Sequence, residues 1–128
     1  MEKDHVVSLW LGRATSADDF WNALEVEFSE DGDFVGSAFS KAFGIEYYED
    51  GLREAQHFHG PVTSFTSMAA GASYQDVVLP RFVGLGVDLD TSTNCLVFLY
   101  NYDHNLPMKA SLPGLELRFI GSVSYLSD

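Results

Sequence analysis

Apolar and polar positions repeat with two different periods along this chain, and the changes of period mark its elements. Residues 5–11, HVVSLWL, are apolar at most positions, rich in β-branched and aromatic types, and stopped by Gly12; they predict a strand interior to a sheet. The period then lengthens. Ala17, Phe20, Leu24 and Phe28 recur every three or four residues behind Thr15 or Ser16 as cap, with Asp18 and Asp19 at the positive end of the helix dipole. This predicts an amphipathic helix over about 16–28, with Trp21 widening its buried stripe. SEDGD at 29–33 is turn chemistry, with Gly32 free to take a positive φ and the aspartates able to bond their own backbone. Ser37 caps a short helix whose apolar positions are Ala38, Phe39, Ala42 and Phe43 and which ends at Gly44. GIEYYED at 44–50 leaves it extended or irregular, and an extended course sends Tyr47 and Tyr48 to opposite sides.

Residues 53–59, REAQHFH, predict a second strand ended by Gly60 and Pro61. SFTSMAAGA at 64–72 reads as a short helix packing through Phe65, Met68 and Ala69. Ser73 is placed to cap another helix over about 74–84, which Pro80 should kink or divide. CLVFLYNY at 95–102 is apolar on both faces and therefore central in its sheet. Leu115, Leu117, Phe119, Val123 and Tyr125 alternate with polar residues, as in a strand with one face on the core. Between these two, DHNLPMKASLPG predicts a long hairpin with a protruding loop. The order implies an α+β fold: a single domain over residues 1–128, with a mostly antiparallel sheet of about four strands and helices packed on one face.

Composition narrows the partners. The formal net charge is −12, and residues 1–60 carry 13 acids against 4 bases, a net −9. Such a field repels nucleic acid and anionic membrane and draws in a cationic partner; its plainer consequence is a well-solvated surface. No run approaches the ~20 apolar residues of a membrane helix, and MEKDH lacks the basic and apolar regions of a leader, so a cytoplasmic protein is expected. Cys95 is the only cysteine and lies inside an apolar run, where a small buried hydrophobe is expected.

Catalytic signatures are weak. There is no G-x-S-x-G, H-E-x-x-H, Walker loop or Cys-x-x-Cys, and GLG at 84–86 lacks the spacing of a nucleotide loop. The acid pairs Asp31 with Asp33 and Asp88 with Asp90 sit in turn-like segments. His57 and His59 would share a strand face, and with Asp103 and His104 they could hold a metal if the fold brought the two regions together. That set defines one alternative, a small metal- or ligand-binding enzyme. A second is an acidic adaptor or structural subunit that binds a basic protein.

A resemblance favours a third reading. VVSLWLG followed by the capped acidic helix, then EDGDFVGSAFSKAFGIEYYED, GASYQDVV, VFLYNYDH and LRFIGSVSY, in that order, resemble the immunity protein 22 family of bacterial polymorphic toxin systems. The likeness spans nearly the whole chain, with residues 85–94 and 103–114 more particular to this sequence. It implies a small cytoplasmic protein, encoded beside a toxin, that neutralises it by direct binding without turnover; no catalytic residue, cofactor or metal is then expected. The family's toxins are varied, nucleases among them. A nuclease needs a basic cleft for its polyanionic substrate, and an inhibitor with this charge can be steered to it as a phosphate mimic. The residues expected to meet the toxin are Asp31, Asp33, Glu46, Glu49 and Asp50 as charges and Tyr47 and Tyr48 as aromatic anchors, with Tyr102 and Asp103 beside them. Either tyrosine could instead close the core beneath the short helix.

Overall fold

In a computed structural model, every residue is described except Pro61, Thr63, Asp88, Asp90, Thr91 and Asp128. The elements run β1 (Glu2–Ala14), α1 (Ala17–Leu24), β2 (Glu27–Phe28), β3 (Phe34–Gly36), α2 (Ala38–Ala42), a 3-10 turn (Asp50–Leu52), β4 (Arg53–His57), α3 (Phe65–Met68), α4 (Gln75–Gly84), β5 (Cys95–Tyr102), β6 (Lys109–Leu112) and β7 (Leu115–Ser124). Five strands form one antiparallel sheet in the order β4-β5-β1-β7-β6, and β2 pairs with β3 in a small separate hairpin. The class is α+β, as expected.

The two strands with least polar patterning, β1 and β5, lie inside the sheet, and this has a consequence the order of elements did not reveal. A strand apolar on both sides needs cover on both sides. One face carries Trp10, Cys95, Val97, Leu99, Leu115 and Leu117, packed under Phe20 and Leu24 of α1 and Phe39 and Phe43 at α2. The other carries Val7, Leu9, Leu11, Leu96 and Phe98, packed under Phe65, Met68, Val78 and Phe82 of α3 and α4. Helices therefore cover both faces rather than one, and burying each large apolar side chain contributes about 1.5–3 kcal/mol. The fifth strand, β6, comes from the segment expected to be a loop. β5 and β7 do not form a hairpin either, because β1 lies between them; the hairpin is β6–β7, turning at Gly114 with φ 67°.

Several local expectations are met. Ser37 caps α2 and forms a reciprocal box with Ser40, and Gly44 takes φ 65° at its end. Ser16 caps α1, accepting from the backbone N–H of Asp19 at 3.1 Å. That helix stops at Leu24, four residues early. Glu25-Val26-Glu27-Phe28 also alternates with period two, and β-branched Val26 favours the extended course into β2. The shortened helix leaves Trp21 at its rim, 43% exposed, instead of in the core. α4 runs unbroken through Pro80. Ser73 does not cap it: its backbone N–H and its hydroxyl both donate to the Glu54 carboxylate, at 2.9 and 2.5 Å.

Alternation in β7 conceals a change of face. Leu9 pairs with Gly121 and Trp10 with Phe119, so Ile120 is an extra residue in the strand. Leu115, Leu117 and Phe119 pack with the Trp10 cluster, whereas Val123 and Tyr125 pack on the opposite side although the odd numbering continues. β1 and β5 break register too, between Glu2 and Val7, where His5 (φ 67°) and Asn101 (φ 59°) take left-handed backbone.

Candidate functional site

Turn residues 29–33 are held by Ser29. Its hydroxyl accepts from the Asp33 N–H at 3.0 Å, its N–H donates to the Asp33 carbonyl at 2.8 Å, and its carbonyl accepts from Gly32 at 2.9 Å. Serine performs the role the aspartates could have taken, so the carboxylates of Asp31 and Asp33 are left exposed at the tip of the β2–β3 hairpin. The hairpin is fixed to the body through Phe34, whose ring meets Tyr47 at 5.1 Å and Tyr48 at 5.4 Å, both edge-on. Phe28 and Val35 beside it are exposed.

Tyr47 and Tyr48 separate as an extended pair must. Tyr47 is 39% exposed, and its hydroxyl donates to Glu49 at 3.0 Å, a bond that heads the causes holding its pKa above the ordinary phenol value. Tyr48 is 1% exposed among Phe34 and Phe39; burial raises its pKa, and its hydroxyl lies 3.5 Å from that of Ser37. Tyr48 is thus core and joins the strip only by supporting Phe34 from beneath.

Glu46 and Tyr47 line a shallow depression of about 440 Å³ with Met1, Glu2, Gly44 and Tyr102. This is where residues far apart in sequence meet. The Met1 ammonium donates to the Asp103 carbonyl at 3.2 Å, the Asp103 N–H donates back to the Met1 carbonyl at 2.9 Å, and Lys3 reaches the Asp103 carboxylate at 3.8 Å. Partial burial lowers the pKa of that amine, while Asp103, Glu2 and Glu46 oppose the shift. Tyr102 is buried in the core beneath, but still borders the depression. Asp50 is half-buried and 4.0 Å from Arg53, which also donates to the Leu24 carbonyl at 3.0 Å. Glu46 and Glu49 are exposed. Met1 and Glu2 were missed by sequence reasoning, because their place beside Tyr47 depends on the irregular pairing of β1 with β5.

The possible metal set is dispersed. His57 and His59 do lie together, with ring centroids 5.3 Å apart. His57 pairs with Cys95 at one end of β5, however, and Asp103 and His104 follow Tyr102 at the other, roughly 23 Å away for a strand of this length. His104 is a core residue. Its ring packs on Trp10, Phe43 and Phe119 at 5.1, 5.7 and 4.8 Å, and Nε2 lies 2.8 Å from the Pro107 carbonyl, which accepts, so Nε2 carries the proton. Burial lowers its pKa. Among the described residues no group of three or more His, Cys, Asp or Glu side chains could hold a metal ion. Asp88 and Asp90 lie outside the described residues. Cys95 is buried and its thiol is pushed up to about 12, chiefly by desolvation, which leaves it no thiolate at neutral pH.

Positive charge gathers at the other end of the sheet. Arg13, Lys109 and Arg118, three of the chain's seven bases, line a depression of about 460 Å³ with Glu116, Ser111 and Thr93. No helix among the described residues is long and apolar enough to cross a membrane. A family model described as Immunity protein 22 matches residues 7–125, which include every acid and tyrosine of the strip. Comparisons with curated proteins and with solved structures gave no significant match.

Proposed function

The chain belongs to the immunity protein 22 family, and from that premise we propose that it neutralises a cognate toxin domain by direct contact, without turnover, through the acidic, tyrosine-bearing end of its sheet. The observation that carries this reading is the convergence of Glu2, Glu46 and Tyr47 around one open depression, whose Met1 wall is bonded to Asp103, with the Asp31 and Asp33 carboxylates displayed on the adjoining hairpin. Tyr47 supplies the ring: it is exposed, held by Phe34 and Glu49, and so loses little conformational freedom when it is covered. Asp31, Asp33, Glu46 and Glu49 supply long-range attraction, with Asp50 and Asp103 partly offset by Arg53 and Lys3. Tyr48 and Tyr102 act from the core, holding the surface in shape.

A toxin met this way presents a basic surface. A nuclease cleft is the case that best fits a chain of net charge −12. Association with the toxin encoded beside it tests the proposal by stopped flow at low and high salt. The rate constant should fall at least about tenfold between roughly 20 and 500 mM ionic strength. A rate insensitive to salt excludes steering by this face.

A further inference from the structure

Of the described residues, three that are not glycine have a positive φ, and all three meet at one place: His5 at 67°, Tyr74 at 59° and Asn101 at 59°. Tyr125 joins them. Its ring stacks on Tyr74 with centroids 4.5 Å apart and packs on His5 at 6.0 Å; its hydroxyl donates to Asn101 Oδ1 at 2.5 Å, and its N–H to the His5 carbonyl at 3.0 Å. Asn101 Oδ1 also accepts the His5 N–H at 3.0 Å. Asparagine enters the left-handed region readily, but tyrosine does so rarely, and strained backbone of this type clusters at ligand clamps and switch regions.

Tyr74 follows a firmly held neighbour. Ser73 is held by both its N–H and its hydroxyl on Glu54 and by the Tyr100 hydroxyl, which donates to its carbonyl at 2.7 Å. The residue after that fixed point, the N-cap of α4, has φ 59°, a conformation that glycine or asparagine would take with less strain. Tyrosine at that point delivers a ring that is 57% exposed, makes no hydrogen bond through its hydroxyl among the described residues, and extends the Tyr125 face outward. A core role does not account for such a ring.

The position of the pair matters as much as its exposure. Glu2 pairs with Tyr102 and His5 bonds Asn101, so the Tyr74–Tyr125 stack and the Glu46–Tyr47 depression lie at the same end of the β1–β5 ladder, on opposite sides of the sheet. Asp4 precedes His5 and Asp76 follows Tyr74 by two residues, and Glu54 bonds Ser73, the residue before Tyr74; Arg81 donates to the Ser124 carbonyl at 2.8 Å. Stacked phenol faces among carboxylates attract a cationic side chain.

Building on the immunity reading above, we propose that the toxin-docking surface continues over the end of the sheet and that the Tyr74–Tyr125 stack is its second anchor, receiving an arginine or lysine of the toxin. The test uses the full chain with its neighbouring toxin domain, measuring affinity and melting temperature for Tyr74→Gly, Tyr74→Phe and Tyr47→Ala. Glycine accepts the positive φ, so Tyr74→Gly should melt no lower than the parent protein and yet bind at least about tenfold more weakly. Tyr74→Phe keeps the ring and should bind within about threefold. If Tyr74→Gly binds as the parent does while Tyr47→Ala weakens binding, the second anchor is refuted and the immunity reading stands. A fall in melting temperature of Tyr74→Gly that accompanies its loss of binding makes the ring structural and also refutes the anchor. No complex with the parent chain overturns both.

Discussion

The two ends of the β1–β5 ladder are built on different terms. At the end where Gly12 pairs with Cys95, the register is regular, and the Asn94 side chain braces Ala14 twice, accepting its N–H at 2.8 Å and donating to its carbonyl at 2.9 Å. A Cβ on Gly12 would collide with the Glu116 carbonyl oxygen, so the backbones there pack closely. At the other end the register breaks, His5, Tyr74 and Asn101 take left-handed backbone, and the Tyr47 and Tyr74 rings lie exposed. The difference teaches where stability is generated and where it is given up. Left-handed backbone at a residue such as Tyr74 costs about 1–2 kcal/mol, and exposed rings forgo part of the burial that ring size offers. A fold that keeps this arrangement at one end, while bracing the other, is what the proposed contact surface at the strained end requires.

Mutations can sharpen the contrast, and the largest effect is expected directly beneath the open end. Tyr48→Ala should cost about 4 kcal/mol of unfolding free energy in urea titration, as removal of a buried ring does, whereas Tyr47→Ala should change stability by no more than about 0.5 kcal/mol and weaken toxin binding about tenfold. Equal stability losses for the two would erase the distinction between anchor and core. At the braced end, Gly12→Ala should destabilise by about 3 kcal/mol, because the added carbon meets backbone that has no room to move. A neutral Gly12→Ala would mean the two ends differ less than their geometry says.

A smaller effect comes from His104, which links the open end to the core through its N–H donating to Ser8 Oγ at 3.0 Å. Its pKa is lowered in the folded chain from the ordinary 6.5, so below about that pH the unfolded chain binds a proton that the folded chain resists. The stability due to this group is therefore fully present above 6.5 and is lost as pH falls toward the folded value. His104→Gln should flatten the fall in urea midpoint between about pH 7.5 and 5.5. An unchanged slope would show that His104 protonates as easily in the folded chain as in the unfolded one.

Much of the scaffold was legible because it is local. The Ser37 cap, the Gly44 stop, the Gly32 turn and the fully apolar β5 each follow from a few adjacent residues, and so did the opposed directions of Tyr47 and Tyr48. What was not legible depends on pairing between distant segments. Nothing near Leu115 says that β1 will separate it from β5, and the bulge at Ile120, which sends Val123 to the other face, leaves the odd-numbered alternation intact. The acids and Tyr47 of the candidate surface could be named from sequence because charge and turn chemistry are local, while Met1, Glu2 and the Tyr74–Tyr125 stack come from backbone angles that no residue pattern announces. Ser73 illustrates the limit: its sequence position is that of a helix cap, and a carboxylate from β4 claims it instead.

The most direct test is a hydrogen-exchange footprint of the chain bound to its cognate toxin domain, compared with the free chain. Added protection is expected at residues 1–5, 29–35, 46–50, 73–75 and 100–104, and none at 11–14 or 109–118. Protection centred instead on the basic depression of Arg13, Lys109 and Arg118, with the strained end unchanged, would contradict it.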